Sequence, residues 1–216
     1  MRHPVGVAAT PDSRVVALAV PGDSGPWEAA GFDCAGTGFA AGAVQVLFGR
    51  SDGDDTRVVL EPPSRLDGAG LEAQLPVAPR PTERDHPNGV VGVDHVVIST
   101  PAMERATSAL LEAGLDLRLE REGRAGGAEI DQAFFLAGPC VIELVGSRGG
   151  GGGASVVWGV TFTSDSLEAL PALDPAPVAS IRDAVQPGRR IAVARRELGL
   201  PTRVAFMNPR PAPGTR

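Results

Sequence analysis

The chain has 216 residues, 43% of them hydrophobic, with 20 basic and 26 acidic side chains and a net charge of -6. That is enough for one sizeable domain or two small ones with a real core. Every basic residue is an arginine, and the arginines are scattered rather than clustered, which argues against a nucleic acid or an anionic membrane surface as partner.

The opening MRHPVGVAAT has no apolar signal-like region, and the aliphatic run VVALAV is too short to span a bilayer. A cytoplasmic protein with no membrane partner is expected. Cys34 and Cys140 lie far apart and form no CxxC pair, so two reduced, largely buried thiols are expected rather than a disulfide or metal site.

Taken in order, the elements repeat: strand, helix and three strands, three times, at a period of about 50 to 70 residues. The first copy is partial and occupies 1–66. It holds the strand RVVALAV, the short helix PWEAAGF with Trp27, then GFAAGAVQVLFG and TRVVLEPP. Residues 67–90, rich in proline and charge, read as an extended linker, with His86 exposed in it and His3 exposed in the N-terminal tail.

The middle copy, 91–148, is the clearest. VDHVVIST is a β-branched strand. PAMERATSALLEAG is a helix with Pro101 at its first helical position, Gly114 as its stop and a buried stripe of Met103, Ala106, Leu110 and Leu111. LDLRLERE, EIDQAFFLAG and CVIELVG follow as strands separated by glycine turns. A glycine-rich connector at 149–154 leads to the third copy, 155–210. There VVWGVTFTS is the first strand, and Asp165 and Glu168 are spaced as a capping box for a short helix. PVASIRDAV, RRIAVARRE and TRVAFMNP are the later strands. Trp27 and Trp158 are both expected in the core.

Alternation along a strand puts His95 on one face with Val93, Val97 and Ser99, and Glu143 on one face with Val141 and Val145. Each apolar strand thus carries one polar, metal-capable side chain. Imidazole and carboxylate suit a divalent ion of the Zn, Ni, Fe or Mn group, which polarises carbonyl or enediolate oxygens. A structural reading stands beside this: His95 and Glu143 as a buried hydrogen-bonded pair. Of Arg189 and Arg190, at the head of a strand, one should face inward as a fork for an anionic group, unless both sit in solvent. Gln132, on the strand EIDQAFF, is a candidate hydrogen-bonder to a ligand. Ser99 is about 13 Å from His95 along its strand, and no Ser-His-Asp order emerges. The glycines at 149–153 lack the lysine and following helix of a phosphate loop.

The DHVV strand, the glycine-terminated helix and the closing IELVG resemble a module of the vicinal oxygen chelate superfamily, which includes the glyoxalase and bleomycin-resistance folds. GVDHVV and DAVQPGRRIA…VAFM are similar to glyoxalase-like proteins of actinobacteria. The resemblance covers 91–209 well and 14–63 loosely. It implies an α+β fold in which repeated βαβββ modules pair into a glyoxalase-like cup, with His95 and Glu143 as metal ligands and Glu143 also as the proton shuttle of a lyase or isomerase on a small molecule. Laid on the middle copy, the third places Gly159 at the His95 position and Phe206 at the Glu143 position, so the second half-site is missing. Glu61 is one residue out of place for a ligand. The alternatives implied are a homodimer that brings two half-sites together and a metal-free protein that binds an antibiotic-like small molecule.

Overall fold

The computed structural model describes residues 13–51, 53–61, 71–72, 85–125, 127–146 and 153–211; His3 and most of the glycine connector lie outside them. The second and third copies form one eight-stranded sheet. In the second, β6 (Val90–Thr100) leads through helix α2 (Met103–Glu112) to β7 (Asp116–Ala125), β8 (Ala128–Ala137) and β9 (Cys140–Gly146). In the third, β10 (Val156–Ser164) leads through a 3₁₀ turn (Leu167–Ala172) to β11 (Val178–Asp183), β12 (Arg190–Ala194) and β13 (Arg203–Met207). The spatial order is β11-β12-β13-β10-β6-β9-β8-β7. Each copy pairs its first strand in parallel with its last, β6 with β9 and β10 with β13, and the two copies join through antiparallel β6 and β10.

The N-terminal copy departs from this plan. It runs β1 (Arg14–Val20), helix α1 (Gly25–Ala29), β2 (Gly38–Ala41), β3 (Val44–Phe48), β4 (Arg57–Glu61) and β5 (Leu71–Glu72), in the order β2-β3-β1-β4-β5. Here β1 is parallel to β3, and β4 lies antiparallel on its other side, where β10 lies beside β6. The unit is therefore βαββ, with β4 and β5 in the place of a partner module.

One face of the large sheet is core and the other is open. Val96, Ile98, Phe135, Ile142, Leu144, Phe162 and Phe206 are all fully buried. Over the third copy this face is covered by an aromatic cluster from the N-terminal unit, with Phe32 5.0 Å from Phe162 and 6.0 Å from Phe206, and Trp27 6.3 Å from Phe162. Over the second copy α2 covers it through Ala106 and Leu110. Leu111, expected in that stripe, is 48% exposed, because the covered stripe is narrower than its apolar neighbours suggest. The helix begins at Met103, after Pro101, and Gly114 ends it with φ +80°. The expected Asp165–Glu168 capping box does not form: Ser166 precedes the turn without a side-chain cap, and Glu168 instead pairs with Arg190.

The end of the expected linker is not solvated. His86 is only 6% exposed. Its Nδ1 accepts the Asp33 amide at 3.0 Å, so Nε2 carries the proton and donates to the Ala40 carbonyl at 2.8 Å. The ring also sits edge-on to Phe32 and Phe39. Beside it Asn88, fully buried, donates to the Ala30 carbonyl and accepts from the Val90 amide. Gly89 has φ +65°, and a Cβ there would lie 2.6 Å from that of Ser166, so HPNG is a latch between the two sheets.

His86→Ala removes the side-chain partner of the part-buried Asp33 amide and of the Ala40 carbonyl and is expected to cost about 1–3 kcal/mol in urea unfolding. Leu111→Ala, on the exposed side of α2, should change the midpoint little.

Candidate functional site

The open face of β6 carries its chemistry because of a break in the ladder. Across to β10, His95 pairs with Thr161 and Val93 with Phe162, so Asp94 has no partner and forms a bulge. In a regular strand neighbouring side chains point to opposite faces; at this bulge the Asp94 carboxylate reaches the ring beside it, with Oδ1 2.9 Å from Nδ1 of His95. Arg189, from the turn before β12, donates to Asp94 Oδ2 at 2.7 Å. Both members of that ion pair are buried, at 3% and 5% side-chain exposure. Arg210 lies 4.0 Å from the same carboxylate.

Burial alone would push the Asp94 carboxyl upward, but the hydrogen bonds from His95 and Arg189 and the arginine charge outweigh it and hold the group at about 2. An ionised carboxylate only accepts. The proton on Nδ1 of His95 is therefore fixed, and in the neutral ring Nε2 is left with its lone pair.

Glu143 is positioned by a second chain of contacts. Val141, Glu143 and Val145 are half-buried on the open face of β9, between fully covered core neighbours. Gln132 on β8 donates its amide to Glu143 Oε1 at 2.5 Å. Its oxygen accepts from Arg121 Nε at 2.9 Å, and the Arg121 guanidinium rests over the Phe134 ring, 5.0 Å from its centre. The ladder sets Glu143 beside Val97 and His95 beside Val141, one diagonal step apart.

These groups share a cavity of about 500 Å³. Its floor is His95 and Glu143, its walls include Leu119, Phe134 and Leu136, and Arg118, Arg121 and Arg210 also line it. His95 and Glu143 do not bond to each other, so the structural-pair alternative is corrected: each has its own holder.

Of the paired arginines, Arg189 faces inward but is occupied by Asp94, and Arg190 turns outward to Glu168. Gln132 bridges Arg121 and Glu143. Glu61 pairs with Arg14 at 2.5 Å in the other sheet. Asp94 and Arg121 escaped sequence reasoning, although an acid directly beside the strand histidine was the available signal for Asp94.

The third copy repeats the bulge without the donors. Val157 pairs with Ile98 and Gly159 with Val97, leaving Trp158 unpaired, at the position Asp94 holds in the second copy. Gly159 then matches His95, and the residue matching Glu143 is Ala205, because Thr161 pairs with Ala205 as Val97 pairs with Glu143. Phe206, expected at that place, is fully buried on the opposite face, since a shift of one residue exchanges faces. Trp158 is 52% exposed rather than core, with the Arg203 guanidinium 4.9 Å from its ring. Among the described residues no group of three or more His, Cys, Asp and Glu side chains is placed to hold a metal ion. The donor chemistry fits a divalent ion, since a carboxylate on Nδ1 is the usual support of a ligating histidine, but the described residues offer two donors there. The cysteines are free; burial pushes the thiols of Cys34 and Cys140 up to about 12.

No family model matches the chain, and no curated protein does. Among solved structures, a mutant of 4-hydroxymandelate synthase from Streptomyces coelicolor is similar over 95% of each chain, with 13% identity and a TM-score of 0.59. A xylose isomerase-like TIM barrel/4-hydroxyphenylpyruvate dioxygenase fusion protein matches 99% of this chain and 51% of its own, with 11% identity and a TM-score of 0.53. Methylmalonyl-CoA epimerase from Mycobacterium tuberculosis matches 57% of this chain and 91% of its own, with 16% identity and a TM-score of 0.44. With the two matches whose TM-scores exceed 0.5 the chain shares an α+β glyoxalase-like fold of βαβββ modules. None of the described helices is long and apolar enough to cross a membrane.

Because the folded carboxyl of Asp94 lies below its ordinary value of 3.8, its stabilisation is full above that value and is lost as pH falls towards 2. The shift corresponds to about 2 kcal/mol. Urea unfolding from pH 7 to pH 2 should show wild type losing that much more than Asp94→Asn; parallel curves would contradict the assignment.

Proposed function

We propose that this chain is a glyoxalase-like protein of the vicinal oxygen chelate type, similar to those of actinobacteria, acting as a lyase or isomerase on a small oxygenated metabolite in the His95–Glu143 cavity. The observation that carries this reading is that two groups suited to proton and metal chemistry converge on one cavity, each braced by its own arginine-anchored contact and neither spent on the other.

His95 offers an unprotonated Nε2 to a carbon acid or a metal. Asp94 keeps the ring in that tautomer and stabilises positive charge that develops on it. Glu143 holds or returns a proton, with Gln132 fixing one of its oxygens. Leu119, Phe134 and Leu136 offer apolar surface to the carbon skeleton, and the arginines lining the cavity favour an oxygen-rich, anionic substrate. A Zn, Ni, Fe or Mn ion, held by His95 Nε2 and Glu143, would supply Lewis acidity for a carbonyl or enediolate oxygen. A homodimer in the cytoplasm that joined two such pairs would give four donors.

The second reading, a metal-free protein that sequesters a small molecule, is favoured by one observation: Gly159 and Ala205 bring no donor from the third copy.

Equilibrium dialysis of untagged protein against Zn, Ni, Fe and Mn, followed by elemental analysis, separates the two. The expected result is bound metal in the wild type, lost in His95→Ala and Glu143→Ala, and about 10- to 100-fold weaker in Asp94→Asn. One metal per two chains would mark the dimer arrangement. Failure of the wild type to bind any of the four would overturn the metal-dependent reading and leave the binding protein.

A further inference from the structure

The open face of the third copy carries a second concavity, of about 410 Å³, remote from the chemistry of His95. We propose that it is a separate binding site for a small planar aromatic anion, a ring bearing a carboxylate or phosphate.

Trp158 stands at the position that Asp94 occupies in the second copy, turned outward by the same kind of bulge. Its indole lines the concavity with Val156 and Val193, and all three are exposed, at 52%, 37% and 44%. An exposed tryptophan beside two exposed valines leaves apolar surface in water that a flat ligand would cover.

The second half of the recognition is charge. Arg195, Arg196 and Arg203 line the same concavity, three cations against one acid, Asp55. Elsewhere Arg14, Arg118 and Arg190 pair with Glu61, Asp116 and Glu168, while Arg105 and Arg124 stand singly and donate to the backbone carbonyls of Gly153 and Gly127. None of the three in this concavity pairs with a carboxylate among the described residues: Arg195 donates to the Ala176 carbonyl, and Arg203 lies over the Trp158 ring. Three unneutralised guanidinium groups at one spot, in a chain of net charge -6, call for an anion. A guanidinium already seated on the indole leaves a ring to stack and a fork to bind, which an aromatic anion satisfies together. A second copy of this chain is a poorer occupant, because a two-fold contact would set the three arginines against themselves.

The two tryptophans make the test direct, since Trp27 is fully buried and Trp158 half exposed. Intrinsic fluorescence of the full chain would be titrated with phenyl phosphate and benzoate, and with benzamide and inorganic phosphate as controls lacking the charge or the ring. The expected result is a saturable change with at least one aromatic anion, binding roughly tenfold or more tighter than either control, and weakened roughly tenfold in Arg203→Gln. The tighter of the two anions tells phosphate from carboxylate. Trp158→Phe should abolish the optical change while calorimetry still detects binding, and both variants should unfold at wild-type urea midpoints. No saturable change with either anion, equal binding of benzamide and benzoate, or a response that survives in Trp158→Phe would overturn the proposal. Because His95 and Glu143 take no part, the outcome is independent of metal binding at their site.

Discussion

The ion pair between Arg189 and Asp94 governs the arrangement of the candidate site. Two charges removed from water are costly unless they face each other with good hydrogen bonds, and removing one partner from such a pair costs on the order of 3–5 kcal/mol. Asp94 meets that requirement with bonds to Arg189 and His95. The pair also ties β6 of the second copy to the start of β12 in the third, so the same contact that orients the imidazole joins the modules. The Arg189 Nε is buried without a partner, a cost that the carboxylate contact must offset.

Two copies of one supersecondary unit have thus been put to different uses on a shared sheet. Both bulge at the same point of their first strand. In the second copy the bulged residue is an acid that holds a histidine beside a glutamate; in the third it is a tryptophan beside a glycine and an alanine. At Gly159 a Cβ would come within 3.1 Å of the Arg203 carbonyl oxygen, so any side chain there, the histidine of the second copy included, would require β13 to give way slightly. Fold and chemistry are separable here, and the function rests on the site rather than on the module count.

Much of the fold was legible because period-two alternation and β-branched runs follow directly from strands with one covered face. The strands of the second and third copies, the helix ending at Gly114 and the Glu143 face were readable that way; of the residues expected to share a face with His95, Val97 and Ser99 do, but the bulge at Asp94 turns Val93 into the core beside Phe162. What was not legible depended on contacts between distant segments. His86 and Asn88 read as linker by composition, yet their side chains supply the hydrogen bonds that bury them. Trp158 read as core by residue type and is half exposed, because a bulge cannot be seen in alternation. The same kind of irregularity hid Asp94, and a one-residue slip in aligning the last strands put Phe206 where Ala205 stands.

Asp94, held by Arg189, keeps the proton of His95 on Nδ1 and leaves Nε2 open to the cavity. Long-range proton–nitrogen correlation spectra of protein with labelled histidine, recorded with the ring neutral, read that tautomer directly. The expected result is Nδ1 protonated and Nε2 bare in the wild type, with the preference lost in Asp94→Asn. A wild-type His95 carrying its proton on Nε2 would contradict it.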